Sequence, residues 1–422
     1  MVCARVEDMT LSEELTARGF IYQCSAESAA AVFDGEKRTV YLGIDPTADA
    51  IHVGNLVPFM MLNHIMNAGH RVILLLGGGT ALIGDPSGRD SERELASVEK
   101  VKAQAATMAE GVRSLSTGDI TFVNNYDWLS KLSALDFMRD VGKHFTINAL
   151  IKKDSIATRM ESENGISYTE FSYTLLQGYD YLHLHQTEGV NVQIGGSDQW
   201  GNLISGVELV RRVTGNEVFA LTMPLVVDKA TGKKFGKSMG NAVWLSRHKT
   251  TPFELYQFWL NTSDESVVDY LKLFTFLSLD QIAQVEMEHN TDRSLRVAQK
   301  RLADEVIRFV HGEAALMGVM LATGVLFGHR ELSSLSDSEQ SLLIAEATIH
   351  EIPEDQNLID TLVTTGLASS KREARTFITE KAIALNETIL TDESTMLAER
   401  VNEVSILRRG KKNRVFVKKA NK

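Results

Sequence analysis

Tyr41-Leu42-Gly43-Ile44-Asp45-Pro46-Thr47-Ala48-Asp49-Ala50-Ile51-His52-Val53-Gly54-Asn55 passes from an apolar run into a polar turn and then into a helical stretch. Thr39–Ile44 reads as a brief buried strand, and Asn55–Ala68 as a helix closed by Gly69, where a C-cap glycine belongs. The alternation recurs downstream. Arg71–Leu76, Ile120–Asn124 and Gly189–Ile194 are short apolar runs, each followed by a turn rich in Gly, Asp, Pro or Asn. Strands of this kind separated by helices predict an α/β domain around a parallel sheet. At the strand-to-helix passage Gly54 lets a phosphate approach unpaired backbone N–H groups, and His52 can donate to a phosphate oxygen. A histidine before a helix also serves as an ordinary cap.

Four further stretches carry chemistry. Gly77-Gly78-Gly79-Thr80 to Arg93 follows a predicted strand, and its glycines allow close approach of a ligand at the carboxyl end of the sheet, where Asp85 can hold an ammonium or simply make a turn. In Thr169–Asp180, a predicted helix, Tyr173, Gln177 and Asp180 stand at i, i+4 and i+7 and share one face, with Phe171, Leu175, Leu176, Tyr179 and Leu182 around them. A solvated helix face has the same spacing. Gly178 there costs ~1 kcal/mol against Ala, tolerable where backbone crowding or a ligand requires it. Gln193–Asn202 follows another strand, and Asp198 is placed to accept from ribose hydroxyls or to form a tight turn. In Lys233-Lys234-Phe235-Gly236-Lys237-Ser238-Met239-Gly240 lysines flank a glycine with little hydrophobic periodicity, which predicts either a loop closing on a polyphosphate or an exposed basic turn.

The chain has 422 residues, 44% hydrophobic and 23% charged, with mean hydropathy −0.09. At about 150 residues per domain this predicts two or three cores and excludes a disordered chain. Its two cysteines, Cys3 and Cys24, supply neither a thiolate metal site nor a disulfide scaffold, so a reducing compartment, the cytoplasm, is expected. The N-terminus has acidic residues and no apolar signal core, and no run of 18 uncharged apolar residues occurs, so no membrane association is expected. The net charge of −11 argues against nonspecific nucleic-acid binding by the whole surface. Residues 401–422 oppose that average, with eight Lys/Arg against one acid, Glu403.

Long amphipathic helices run from about Thr250 to Leu326 and predict a helical domain, taken as 246–330, after an α/β domain 1–245. Residues 331–357, rich in Ser, Glu and Asp and including Pro353, predict a linker over 331–354. A compact basic unit over 355–422 follows. Ser370 and Glu373 form a possible capping box for a helix bearing Lys371, Arg372 and Arg375. Two β-like segments flank Asn386–Glu387, and Val404–Leu407 and Arg414–Lys418 flank the turn Arg408–Asn413. No internal repeat is present.

This set resembles the class I aminoacyl-tRNA synthetases, specifically the bacterial or organellar tyrosyl-tRNA synthetases. His52-Val53-Gly54-Asn55 is similar to the His-Ile-Gly-His signature, and Lys234-Phe235-Gly236-Lys237-Ser238 to the Lys-Met-Ser-Lys-Ser loop. Gly84–Gly88, Asn124–Trp128, Gly142–Phe145, Gln193–Asn202 and Tyr256–Trp259 look like longer blocks of the family. Two departures stand out: Asn55 replaces the last histidine of the signature, and Asp90 stands where a basic residue is common.

The resemblance implies a Rossmann-like catalytic domain with its lysine loop at 233–240, a helical anticodon-binding domain and a small α+β RNA-binding domain. It implies that Tyr41 and Asp180 contact the phenol of L-tyrosine, Asp85, Tyr173 and Gln177 its ammonium, and Gln199 the region of its carboxylate. ATP phosphates would meet Thr47, His52, Gly54 and Asn55, and the ribose Gly196 and Asp198. Lys234, Lys237, Ser238, Arg89 and Arg93 would stabilise pyrophosphate. For tRNA(Tyr) it implies Lys371, Arg372, Arg375, Arg408, Arg409, Lys411 and Lys412. Mg²⁺ would come with ATP, no structural metal is expected, and homodimers are the family's habit. Rivals are another nucleotidyltransferase, which would lack the helical and basic C-terminal parts, a tryptophanyl-tRNA synthetase, against which Tyr41 and Asp180 favour a phenol, and an RNA-binding factor that has lost activity, against which Asp85, His52, Lys234 and Lys237 stand intact.

Overall fold

The computed structural model describes residues 9–87, 96–161, 165–227, 229, 232, 237–238, 241–401, 403–410 and 413–420. They divide into two compact units, one of Met1–Ser246 with Thr262–Leu302 and one of Arg247–Asn261 with Ala303–Lys422. The helical region expected as one domain is thus divided between the two. Part of the reason is Arg18, a buried guanidinium that donates to the carbonyls of Lys272, Thr275 and Leu277 and so ties the segment 262–302 to the α/β unit.

The first unit is built on a six-stranded sheet of β1 (Gln23–Cys24), β2 (Thr39–Ile44), β3 (Arg71–Leu76), β4 (Ile120–Asn124), β5 (Val192–Gly196) and β6 (Phe219–Met223), in the order β1-β6-β5-β2-β3-β4. All neighbours are parallel except β1 with β6. Chain order runs outward from β2 on one side and from β5 on the other, so the strand order reverses between these two. A crevice opens at the carboxyl ends of parallel strands where that happens. The strands predicted at 39–44, 71–76 and 120–124 have these bounds. The one predicted at 189–194 begins later, because Gly189, at φ 69°, caps the preceding helix.

Three helices of this unit matter for the site: α1 (Leu56–Asn67), α2 (Tyr168–Glu188) and α3 (Trp200–Thr214). α2 opens with a reciprocal capping box between Ser167 and Glu170. Gly178 on α2 and Gly206 on α3 let the two helices pack closely: a Cβ on Gly178 would stand 3.2 Å from Phe145 Cζ, and one on Gly206 2.9 Å from Tyr181 Cδ1. The crowding that would justify a mid-helix glycine is present. Gly206→Ala is expected to destabilise the protein by about 1–3 kcal/mol through overpacking, read as a lower urea midpoint at unchanged m-value.

β7 (Lys237–Ser238) pairs antiparallel with β8 (Asn241–Ala242). The second unit contains α4 (Glu313–Leu326), α5 (Asp337–Glu346) and α6 (Lys371–Thr379), with the sheet β11-β10-β12-β13-β9 made from β9 (Ile349–Ile352), β10 (Ile383–Leu385), β11 (Thr388–Ile389), β12 (Ser405–Arg409) and β13 (Asn413–Lys419). The stretch 331–354 is therefore not a linker. Its Ser-Glu character is the capping box Ser336–Glu339 of α5, Leu335, Leu343, Ala347 and Ile352 are buried, and β9 pairs in parallel with β13. The hairpin about Asn386–Glu387 forms as expected, with Asn386 at φ 53°. No described helix is long and apolar enough to cross a membrane.

Candidate active site

A cleft of about 250 Å³ opens at the reversal between β2 and β5. Its lining comes from the end of β2 (Tyr41, Gly43, Ile44) with Asp45 and Thr47, from Thr80 and Asp85 after β3, from Tyr173, Gln177 and Asp180 on α2, and from Gln193 to Gly195, Asp198 and Gln199 at the end of β5. The i, i+4, i+7 face of α2 points into this cleft and not into solvent. Of the residues expected to hold tyrosine, Tyr41, Asp85, Tyr173, Gln177, Asp180 and Gln199 all come together here, as do Thr47 and Asp198.

A chain of hydrogen bonds runs through its walls. Trp128 Nε1 donates to Asp180 Oδ1 at 2.8 Å, and Asn125 Nδ2 donates to Asp180 Oδ2 at 2.9 Å and to Thr80 Oγ1 at 2.9 Å. Thr80 donates onward to Asp45 Oδ1 at 2.7 Å, and the Tyr173 hydroxyl reaches Asp45 Oδ2 at 3.0 Å. The approach of Asp45 requires glycine at 77, where a Cβ would lie 1.9 Å from Asp45 Oδ1. Asp85 accepts from the Ser87 amide and from Gln199 Nε2 at 2.7 Å, and Gln199 in turn accepts from Asn202. Asp45, Asn125 and Trp128 are missing from the sequence-based set. The signal was present in the order Asn125-x-x-Trp128 directly after a strand, but nothing local says that both donors turn toward Asp180.

Three buried polar atoms of the cleft have no partner among the described residues: the Tyr41 hydroxyl, Gln177 Oε1 and Gln193 Oε1. Burying such groups unpaired is costly, and a ligand with complementary donors and acceptors relieves the cost. Burial pushes the Tyr41 phenol well above its usual range, with the neighbouring Asp180 and Tyr181 adding to it. Burial likewise raises Asp180 to about 7 against the pull of the Asn125 and Trp128 hydrogen bonds, with Asp45 adding repulsion. Between the ordinary carboxylate value and about 7 the folded protein holds a proton that the unfolded chain has lost, so stability falls as pH rises through that window. Asp180→Asn is expected to flatten this slope. Urea denaturation at pH 5 and pH 8 measures it, and a slope equal to that of the wild type refutes the assignment.

His52, Gly54 and Asn55 stand at the start of α1 and do not line the cleft. His52 Nδ1 accepts from the Gly54 amide at 3.0 Å, which leaves the ring proton on Nε2, and the ring packs edge-on against Trp244. Asn55 makes no capping bond with its side chain. Gly196 ends β5 beside the lining residue Gly195. Arg89, Arg93, Lys234, Lys411 and Lys412 lie outside the described residues, and of Lys237 and Ser238 only the backbone, in β7, is described.

The expected tRNA contacts are in the second unit, and three of the five that are described are neutralised locally. Lys371 pairs with Asp360 at 2.6 Å, Arg375 with Glu393 at 3.3 Å, and Arg409 lies over the Phe377 ring and 3.9 Å from Glu373. Arg372 is exposed.

The family profile described as "tRNA synthetases class I (W and Y)" matches residues 34–328, and "Tyrosine--tRNA ligase SYY-like C-terminal domain" matches residues 342–417. Tyrosine--tRNA ligase 2 of Enterococcus faecalis is 46% identical over 421 residues, covering 96% of this chain and 98% of that protein. Tyrosine--tRNA ligase of Streptococcus mutans is 44% identical with the same coverage. The crystal structure of a C-terminally truncated Aspergillus nidulans mitochondrial tyrosyl-tRNA synthetase superposes with a TM-score of 0.69 at 33% identity, covering 76% of this chain and 95% of that one. The two profiles span the residues that line the cleft and most of the C-terminal sheet, and the chain belongs to the class I aminoacyl-tRNA synthetases, in the tyrosine–tRNA ligase family.

Proposed function

We propose that this chain activates L-tyrosine with ATP and then charges tRNA(Tyr). In the first step a tyrosine carboxylate oxygen forms a bond to the α-phosphorus of ATP while the bond to the β-phosphate oxygen breaks, giving tyrosyl-adenylate and pyrophosphate. In the second, a terminal ribose hydroxyl of the tRNA attacks the tyrosyl carbonyl and AMP leaves. No protein nucleophile is required. The protein holds two anions in line and offsets the charge that grows on the phosphates.

The observation that carries this reading is a buried Tyr41 hydroxyl left without a partner in the same cleft as the buried Asp180 carboxylate, close enough to feel its charge. A phenol inserted there can donate to Asp180 and accept from Tyr41. Phenylalanine would leave both unsatisfied, an effect for which tyrosyl-tRNA synthetases are themselves the known example. Asp85, Tyr173 and Gln177 suit the ammonium, with Tyr173 oriented by Asp45, and Gln199 the carboxylate side. His52 Nε2, Thr47, Gly54 and Asn55 are assigned to the ATP phosphates, Gly196 and Asp198 to the ribose, and Lys234, Lys237, Ser238, Arg89 and Arg93 to pyrophosphate. Mg²⁺ enters bound to ATP.

The basic C-terminal unit is assigned to tRNA, the helices of 246–330 to the anticodon arm, and the cytoplasm is the proposed compartment. A homodimer belongs to the same proposal. Leu135, Ile147 and Tyr168 are 82%, 61% and 65% exposed, and the Tyr168 hydroxyl reaches Met138, itself 48% exposed, apolar side chains of the kind that partners cover. Tyrosine-dependent ATP–pyrophosphate exchange tests the reading, and exchange with tryptophan but none with tyrosine would overturn it.

A further inference from the structure

The five-stranded sheet of the second unit carries one uncompensated feature. In the β12–β13 ladder Ile406 pairs with Phe416 and Arg408 pairs with Arg414, so all four side chains share one face. Ile406 and Phe416 pack there against the helical layer that includes Leu321, Val325 and Leu326 of α4. At the next position on that face the ladder sets two half-buried arginines directly opposite each other, an arrangement that like charges disfavour.

Neighbouring cations on this unit have carboxylates: Lys418 has Glu351 at 3.0 Å, Lys419 has Glu354 at 2.8 Å, and Arg409, Lys371 and Arg375 are paired as described. Among the described residues Arg408 and Arg414 have no acidic partner. Arg408 Nη1 donates to Gly410 O at 3.1 Å, and Arg414 Nη1 reaches Val325 O, at the C-terminus of α4, at 3.5 Å. The Arg414 guanidinium also lies against the turn that follows α4, 3.2 Å from where a side chain on Gly328 would begin. The residue before that glycine, Phe327, is 55% exposed. Two cations short of counter-charge, one of them against the turn that carries this exposed aromatic residue, match the chemistry of one unpaired nucleotide, a phosphodiester with a flat base.

We propose that Arg408, Arg414 and Phe327 form a binding point for an unpaired nucleotide of tRNA, the two guanidiniums straddling its phosphate and the Phe327 ring stacking on its base. This deepens the reading of the second unit as tRNA-binding and rests on it. The three residues come from two segments more than 80 positions apart in the chain, the post-α4 turn and the β12–β13 ladder, and the ladder register alone sets the two arginines side by side.

The test is binding of a tRNA(Tyr) transcript to the full-length protein over a salt series, followed by fluorescence anisotropy, with thermal melting of each variant as the check of folding. Phe327→Leu keeps an apolar side chain and is expected to weaken binding about fivefold or more, whereas Phe327→Trp keeps it, since base stacking and not burial is lost. Arg408→Gln is expected to weaken binding and to reduce the slope of log affinity against log salt by about 0.7, the contribution of one phosphate contact to a single strand, and Arg408→Lys to restore the slope. Wild-type affinity in Phe327→Leu, or an unchanged salt slope in Arg408→Gln, overturns the proposal, including the case in which Arg408→Gln lowers only the melting temperature. Wild-type protein that binds tRNA(Tyr) but exchanges no tyrosine would sink the activity and leave this site standing. Wild-type protein that does not bind the transcript sinks both.

Discussion

Asp180→Ala is expected to lower kcat/KM for tyrosine in ATP–pyrophosphate exchange by about 30-fold to several thousand-fold, with the KM for ATP nearly unchanged. Truncating one member of a buried, hydrogen-bonded charged set costs about 2–5 kcal/mol, and each ~1.4 kcal/mol is tenfold in rate. Two effects add. The substrate phenol loses its acceptor, and Asn125 Nδ2 and Trp128 Nε1 lose the carboxylate that now satisfies them at 2.9 and 2.8 Å. Trp128→Phe, which removes a single donor and leaves the carboxylate in place, should act in the same direction by a smaller factor. Because Asp180 lines the part of the cleft proposed to hold tyrosine, the ATP dependence is the internal control. Tyrosine kinetics identical to the wild type in Asp180→Ala would remove the phenol-binding role.

Removal of residues 331–422 is expected to abolish tRNA charging, with more than about a hundredfold loss of tRNA affinity, while tyrosine-dependent exchange continues. Several phosphate contacts acting together account for a loss of that size. The boundary matters. A cut at 355 would leave β9 without β13 and strip Phe416 from the cluster around Leu343 and Ala347, whereas a cut at 331 removes α5 and the whole sheet together and uncovers the α4 face of Leu321, Val325 and Leu326. The cleft residues all belong to the first unit, so the activation chemistry has its parts without the C-terminal sheet. The Aspergillus nidulans relative was itself solved in C-terminally truncated form. Charging by the truncated protein at the wild-type rate would take the C-terminal unit out of tRNA recognition.

Much of this was readable along the chain. Apolar runs of five or six residues ending in Gly, Asp or Asn gave β2, β3 and β4 with their bounds, because a buried parallel strand needs only a short continuous apolar stretch and a turn. The face Tyr173, Gln177, Asp180 follows from 3.6 residues per turn, and of the capping box expected for Ser370 and Glu373 only half forms: Ser370 accepts from the Glu373 amide, while the Glu373 carboxylate accepts from Ser369. The linker expected at 331–354 failed for an equally local reason: Ser and Glu at a helix start have the composition of an unstructured connection.

Period, capping and turn chemistry act over a few residues, so the chain alone determined most of its strands and helices and the crevice that opens between β2 and β5. What the tertiary structure decided are meetings across long separations: Trp128 and Asn125 on Asp180, 52 and 55 residues apart, and Tyr173 on Asp45 across 128. The division of the helices between two units and the alignment of Arg408 with Arg414 were decided there too. Such contacts depend on which buried polar atoms find partners once the sheet and helices are packed, and no local pattern encodes that choice.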